Sequence, residues 1–202
     1  MTVLKESEIK ARINEPNIKK RLIITPLLDA KEVIESSSVD LRLGTEFILL
    51  RRRIVGCLDI NKQNEIKRDI HSYQERIRIN VWGRFTIHPG QLILGSNLEY
   101  LSFPEDLMAY VVGKSTWGRT GLVIATATKI DPGFKGSITL EIINLGEVPI
   151  VLYPGIPIAQ LVIHTAKGEG IYNGSYLNPT GPQFPKLRKT SRNWQFWLSK
   201  AR

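Results

Sequence analysis

Between Ser137 and Ile143 the side chains alternate. Ile138, Leu140 and Ile142 fall on one side, and Ser137, Thr139, Glu141 and Ile143 on the other. A period of two marks a strand with one buried face, and it sets Glu141 beside Thr139, away from the core-directed residues. Spacing alone reads this Glu as an ordinary solvated strand residue. Similar runs fill most of the chain. Val39, Leu41 and Leu43 alternate with Asp40 and Arg42, Gly44 turns the chain, and an apolar run over 47–50 makes a second strand. The Asp40 and Arg42 pair is read as fixing neighbouring backbone or a subunit contact. Further strands are predicted over 77–82, 84–87, 91–96, 98–102, 107–112, 149–152 and 157–164. Asp131-Pro132-Gly133-Phe134 reads as a turn, since Pro presets φ at one corner and Gly accepts φ > 0 at the next, and a hairpin is expected after it. Ile9 and Ile13, four apart among charged residues, predict a short helix over 5–13 that Pro16 ends, and Asp29 is placed as the N-cap of a second over 29–35. Many short strands with Gly- and Pro-rich turns predict an all-β sandwich or distorted jelly roll with short peripheral helices.

The 202 residues suit one domain. With 42% hydrophobic and 23% charged residues the composition is that of a soluble chain, and no apolar run approaches the roughly 18 residues of a membrane span. The N-terminus carries no apolar leader core and the single Cys57 cannot form an internal disulfide, so a cytoplasmic location is expected. The net charge of +9 is concentrated in Lys186, Arg188, Lys189, Arg192, Lys200 and Arg202. This basic tail, with Trp194, Phe196 and Trp197, reads as a closing segment packed on its own or a neighbouring subunit, the alternative being contact with nucleic acid or a membrane surface. Residues 51–78 open with Arg51-Arg52-Arg53 and read as a surface insertion or edge hairpin, the three Arg guarding a sheet edge.

Candidate chemistry gathers in 113–119 and beyond. Ser115 and Thr116 sit beside Lys114 and Arg119, a group able to hold phosphate oxygens by charge-assisted hydrogen bonds. The Gly-Lys-Ser-Thr run is not a Walker P-loop, which needs Gly where Met108 stands and a helix after it, neither of which is expected. Zinc deaminase chemistry is excluded because one Cys and three separated His cannot supply the H-x-E and P-C-x-x-C signature. Residues 167–183, rich in Gly, Asn and Pro and carrying Tyr172 and Tyr176, read as a linker.

These pieces, in order, resemble the dCTP deaminase branch of the dUTPase-like superfamily: 38–44 (SVDLRLG), 88–90 (HPG), Gly113-Lys114-Ser115-Thr116 with Arg119 and Gly121, 126–134 (TATKIDPGF), Leu140-Glu141 with Asn144-Leu145-Gly146, and Pro154-Gly155 with Gln160-Leu161. The specific element is Thr-Ala-x-x-Ile-Asp-Pro-Gly-Phe with a Glu ten residues after its Asp. The resemblance implies a dUTPase-like fold and a homotrimer. It also implies hydrolysis of dCTP to dUTP and ammonia, with a bifunctional route on to dUMP and diphosphate as an extension. Glu141 would shuttle protons, with Ser115 and the Ala127 carbonyl holding the water. Lys114, Ser115, Thr116, Arg119, Ala127, Asp131, Phe134, Thr139, Gln160, Tyr172, Tyr176 and Gln183 would bind substrate, Asp131 and Phe134 around the deoxyribose. Mg²⁺ would accompany the triphosphate, with no zinc and no protein-borne metal site. Neither a membrane nor nucleic acid is an expected partner. In this resemblance 167–183 becomes a lid closing over the nucleotide. Two departures stand out: Ile124 and Ala125 precede Thr126 where the family commonly carries a His, and Ser175 replaces the lid's usual Lys. The alternatives are a dUTPase, in which Asp131 activates water against the α-phosphate, or a non-catalytic nucleotide-binding module. Against a pure dUTPase stand Glu141, Phe134 in place of Tyr, and the lack of a Gly-rich C-terminal arm.

Overall fold

A computed structural model describes residues 2–51, 59, 70, 72–125, 129–176 and 178–186. Helix α1 (Glu6–Ile13) is capped at Asn14, two residues before Pro16, and buries Ile9. Helix α2 (Ala30–Val33) is shorter than expected, but Asp29 is its N-cap and accepts from the Lys31 backbone N–H at 3.2 Å.

Strands β1 (Ile23–Thr25), β2 (Val39–Arg42), β3 (Glu46–Leu50), β4 (Gln74–Arg78), β5 (Phe85–Ile87), β6 (Leu92–Ser96), β7 (Tyr100–Ser102) and β8 (Leu107–Gly113) lead into helix α3 (Ser115–Arg119). Beyond it come β9 (Leu122–Ile124), β10 (Lys129–Ile130), β11 (Lys135–Gly136), β12 (Thr139–Asn144), β13 (Ile150–Leu152) and β14 (Pro157–Thr165). Among the described residues the largest sheet runs β4-β3-β6-β12-β9, a second runs β10-β8-β14-β2, and smaller ones are β1-β7-β11 and β13-β5. Every pairing is antiparallel. This is the all-β, jelly-roll-like architecture the alternation predicts.

One apolar cluster fills the space between the sheets, with Leu41, Phe47, Ile93, Leu140, Ile142 and Leu161 fully buried. Ile138, Leu140 and Ile142 are all core residues, as their spacing requires, while Thr139, Glu141 and Ile143 stay at least partly open. Buried polar groups other than the Gln74 amide oxygen are matched with partners among the described residues. Glu99, 1% exposed, accepts from the Arg42 guanidinium at 2.7 Å and from the Arg42 backbone N–H, and Asn97 takes the Ile138 N–H at 2.6 Å. Such saturation is what a buried carboxylate requires.

Three expectations are corrected. The Asp131–Phe134 turn forms, closed by Phe134 N–H to Asp131 O at 3.1 Å, but β10 pairs with β8 and β11 with β7, so the chain crosses between sheets and makes no hairpin. The strand expected over 77–82 lies at Gln74–Arg78, paired along its length with β3, while Asn80 to Gly83 is a turn. Strand β4 lies at the edge of the largest sheet, antiparallel to β3, as the edge-hairpin alternative for 51–78 expects. Finally, a five-residue helix does follow Lys114, pinned by the Trp117 indole N–H to Pro157 O at 2.8 Å. Met108 still stands where a P-loop needs Gly.

Candidate active site

Strand β12 carries Thr139 and Glu141 outward from the core, and the turn before it brings Asp131 and Phe134 to the same place. These four line a cavity of about 400 Å³ together with Tyr172, Tyr176 and Gln183. The volume lies within the usual range for small-ligand pockets. Seven of the residues singled out in the sequence thus meet although they span 131 to 183.

The segment expected to be a lid forms the cavity's outer wall. Tyr172 N–H bonds Pro132 O at 2.8 Å, and its ring meets Phe134 edge-on with centroids 5.6 Å apart. Further along, Ser137 N–H donates to Pro179 O at 2.7 Å, Gly181 N–H to the Ser137 hydroxyl at 2.6 Å, and Gln183 N–H to the Thr139 hydroxyl at 3.0 Å. The close approach depends on Gly136, whose φ is +132° and whose added Cβ would lie 2.3 Å from Pro179. Any L side chain there would be strained as well as overlapping. Lys186 folds back onto this wall, its ammonium 2.8 Å from Ser175 O and 5.1 Å from the centre of the Tyr176 ring.

Inside the cavity the charges differ in state. Asp131 is paired with Lys129 at 2.5 Å, and this contact raises the Lys129 pKa above its ordinary value. The Glu141 carboxylate lines the cavity with no hydrogen-bond or ion-pair partner among the described residues. A carboxylate in that condition is free to take a proton from a guest and return it. Lys129 was not singled out in the sequence, although it sits two residues from Asp131 and so on the same side of an extended chain.

Lys114, Ser115, Thr116, Arg119 and Gln160 do not line this cavity. The Lys114 ammonium lies 2.6 Å from the Asp40 carboxylate and 3.1 Å from Glu35, and the Gln160 amide donates to the same two acids at 3.1 and 2.9 Å. Burial opposes the charge on Lys114, but the hydrogen bonds to Asp40 and Glu35 prevail and raise its pKa. The Lys114 contact in turn holds the Glu35 carboxyl below its usual range. Arg119 is exposed and has no carboxylate partner among the described residues. Of the remaining candidates, Ala127 lies outside the described residues, as do the basic tail from 187 and most of 52–71.

The family model described as dCTP deaminase-like matches residues 3–166, and the chain belongs to that family. Among curated relatives, the dCTP deaminase of Haloarcula marismortui is 37% identical over 193 residues, covering 92% of this chain and 95% of the relative. The dCTP deaminase, dUMP-forming, of Methanothermobacter thermautotrophicus is 39% identical over 196 residues, covering 93% and 95%. Among solved structures, the 2′-deoxycytidine 5′-triphosphate deaminase from Agrobacterium tumefaciens superposes with a TM-score of 0.58 at 22% identity, over 81% of this chain and 48% of that one. That last likeness is one of fold.

Proposed function

We propose that this chain is a single-domain deaminase that converts dCTP and water to dUTP and ammonia, a step in the supply of precursors for dTTP. The observation that carries the reading is the unpaired Glu141 carboxylate in a cavity shared with Asp131, Phe134 and Tyr172. Water adds to C4 of the cytosine ring as its proton passes to Glu141, which protonates N3. The proton of the new C4 hydroxyl then passes through Glu141 to N4, the C4–N4 bond breaks, ammonia leaves and C4 becomes a carbonyl. One fixed carboxylate suffices for these transfers if it reaches both water and ring. Phe134 and Tyr172 supply the flat apolar surfaces that exclude bulk water, and Asp131 accepts from the sugar hydroxyl.

Ser115, Thr116 and Arg119, expected from the sequence among the substrate ligands, fall outside this cavity, which accords with a homotrimer in which α3 of one subunit faces the cavity of the next. Ser115 would then meet the reacting water across the interface, together with the Ala127 carbonyl. A closed threefold ring repeats such a contact without leaving a free face. Mg²⁺ enters as part of the substrate, bound to the phosphates, a coordination that needs few protein oxygens. A cytoplasmic location goes with an enzyme of nucleotide metabolism.

A second reading adds hydrolysis of dUTP to dUMP and diphosphate, and what favours it is that several relatives are named dUMP-forming. Asp131 would activate the second water, which requires its contact with Lys129 to loosen. Incubating the protein with dCTP, and separately with dUTP, in Mg²⁺ and resolving the products decides between them. Ammonia with dUTP supports deamination alone, dUMP from both substrates supports the two-step route, and dUMP from dUTP without ammonia from dCTP would reduce the protein to a dUTPase.

A further inference from the structure

Gln74 opens β4, and the cavity wall includes it. The residue is only 8% exposed, and its Oε1 is the one buried side-chain polar atom among the described residues without a hydrogen-bond partner. No other side-chain hydrogen bond of Gln74 exists among those residues either. Elsewhere the interior is paired with care: Asn97, Glu99 and Asn144 all have partners. A buried amide oxygen left unbonded weakens the fold, and it persists where something outside the polypeptide completes it.

The position narrows what that something is. Gln74 stands opposite Leu50 on β3, Ile48 of the same strand pairs with Leu94 on β6, and Leu94 pairs with Glu141 on β12. Leu50, Leu94, Glu141 and Gln74 all line the cavity, so the amide and the carboxylate share one face of the sheet, three strands apart. Between them the wall is leucine. An apolar wall with one neutral hydrogen-bonding group suits the flat, uncharged part of a nucleotide and is costly for a polyanion, because Lys129, the cation in the cavity lining, is already paired with Asp131.

We propose that Gln74 is a binding residue of this cavity that hydrogen-bonds the nucleoside portion of the substrate, from the side opposite Glu141. A carboxamide carries both donor and acceptor, so it can complement a pyrimidine ring edge or a sugar hydroxyl. The inference rests on the deaminase reading, and its test is arranged to stand apart from it.

The experiment is Gln74→Leu, with Gln74→Met as the second variant should leucine not fold, read by thermal melting and by dCTP turnover with deoxycytidine as competing ligand. Removing an unbonded buried amide should raise the melting temperature of the free protein by roughly 2–4 °C. At the same time dCTP should bind about tenfold more weakly, and deoxycytidine should weaken by the same factor. Unchanged affinity for both ligands, whatever the melting temperature does, would make the amide a water-satisfied structural group and overturn the proposal. Loss for dCTP with deoxycytidine unaffected would place Gln74 on the phosphates and overturn it equally. Failure of the wild-type protein to release ammonia from dCTP would count against the deaminase reading, while direct deoxycytidine binding would still judge Gln74.

Discussion

The cavity around Glu141 and the cluster around Lys114 are made of the same kinds of side chain, acids, amides and a lysine, and they differ in how far their bonding is complete. Around Lys114 one ammonium meets two carboxylates and an amide bridges the same pair, so nothing is left over. In the cavity the Glu141 carboxylate and the Gln74 amide have no partner within the described chain. A closed network holds strands together, here β2, β8's end and β14. An open one is available to a guest. The comparison separates two residue sets that motif order alone treats as one site.

The sharpest way to break it is Glu141→Gln. If the open carboxylate moves protons, deamination should slow by about 10²–10⁴-fold while dCTP still binds, as for a general acid–base group. Stability should barely change, because the residue is exposed and its carboxylate has no partner among the described residues. Ammonia release and dCTP affinity measured on one preparation give the answer, and near-normal turnover would return Glu141 to the role of a solvated strand residue.

Lys114→Met tests the closed network from the other side. It leaves Asp40, 6% exposed, without its cation, and should destabilise the fold by about 3 kcal/mol in denaturant titration. Gains elsewhere are not expected. The pH dependence follows from the shifts. Glu35, held below 4.5, contributes stability that is present above that pH and lost as pH falls through its lower folded value. Lys114, held above 10.5, contributes stability that is present below that pH and lost as pH rises through its higher folded value. The gap between wild type and variant should therefore be flat across neutral pH and narrow below 4.5 and above 10.5.

Arg119 ends helix α3 and takes no part in this network. Arg119→Ala should leave stability unchanged and weaken dCTP about tenfold, with deoxycytidine nearly unaffected. Mixing Arg119→Ala with Glu141→Gln after dissociation and reassembly refines the point. If each cavity takes its arginine from a neighbour in a ring, about a quarter of the sites regain both groups and activity partly returns. No recovery would mean that both residues serve the same subunit's site.

Much of the fold could be read from the residues because its signals are local. The alternation over 137–143 sorts core from cavity correctly, and Asp29 announces its helix. What escaped depends on contacts distant in sequence. The Asp-Pro-Gly-Phe turn looks like a hairpin corner, but pairing is decided by β7 and β8, which claim its two arms for different sheets. Helix α3 was hidden because Ser, Thr and Gly are poor helix formers and an indole contact supplies what propensity lacks. Lys114 looks like a phosphate ligand until Asp40, 74 positions earlier, is found beside it. For Gln74 the register of β4 was needed, in a segment whose polar composition suggested surface.

The wall along the cavity bears on time as well as on shape. Pro132, Ser137 and Thr139 hold it through backbone amides of Tyr172, Gly181 and Gln183, a seam along one edge of the opening. If the segment acts as a lid over bound nucleotide, release cannot outpace the parting of that seam, and its strength would then cap turnover whatever the speed of the chemistry. Gly136 is where the seam is drawn tight. A side chain there would meet Pro179 and force the seam apart.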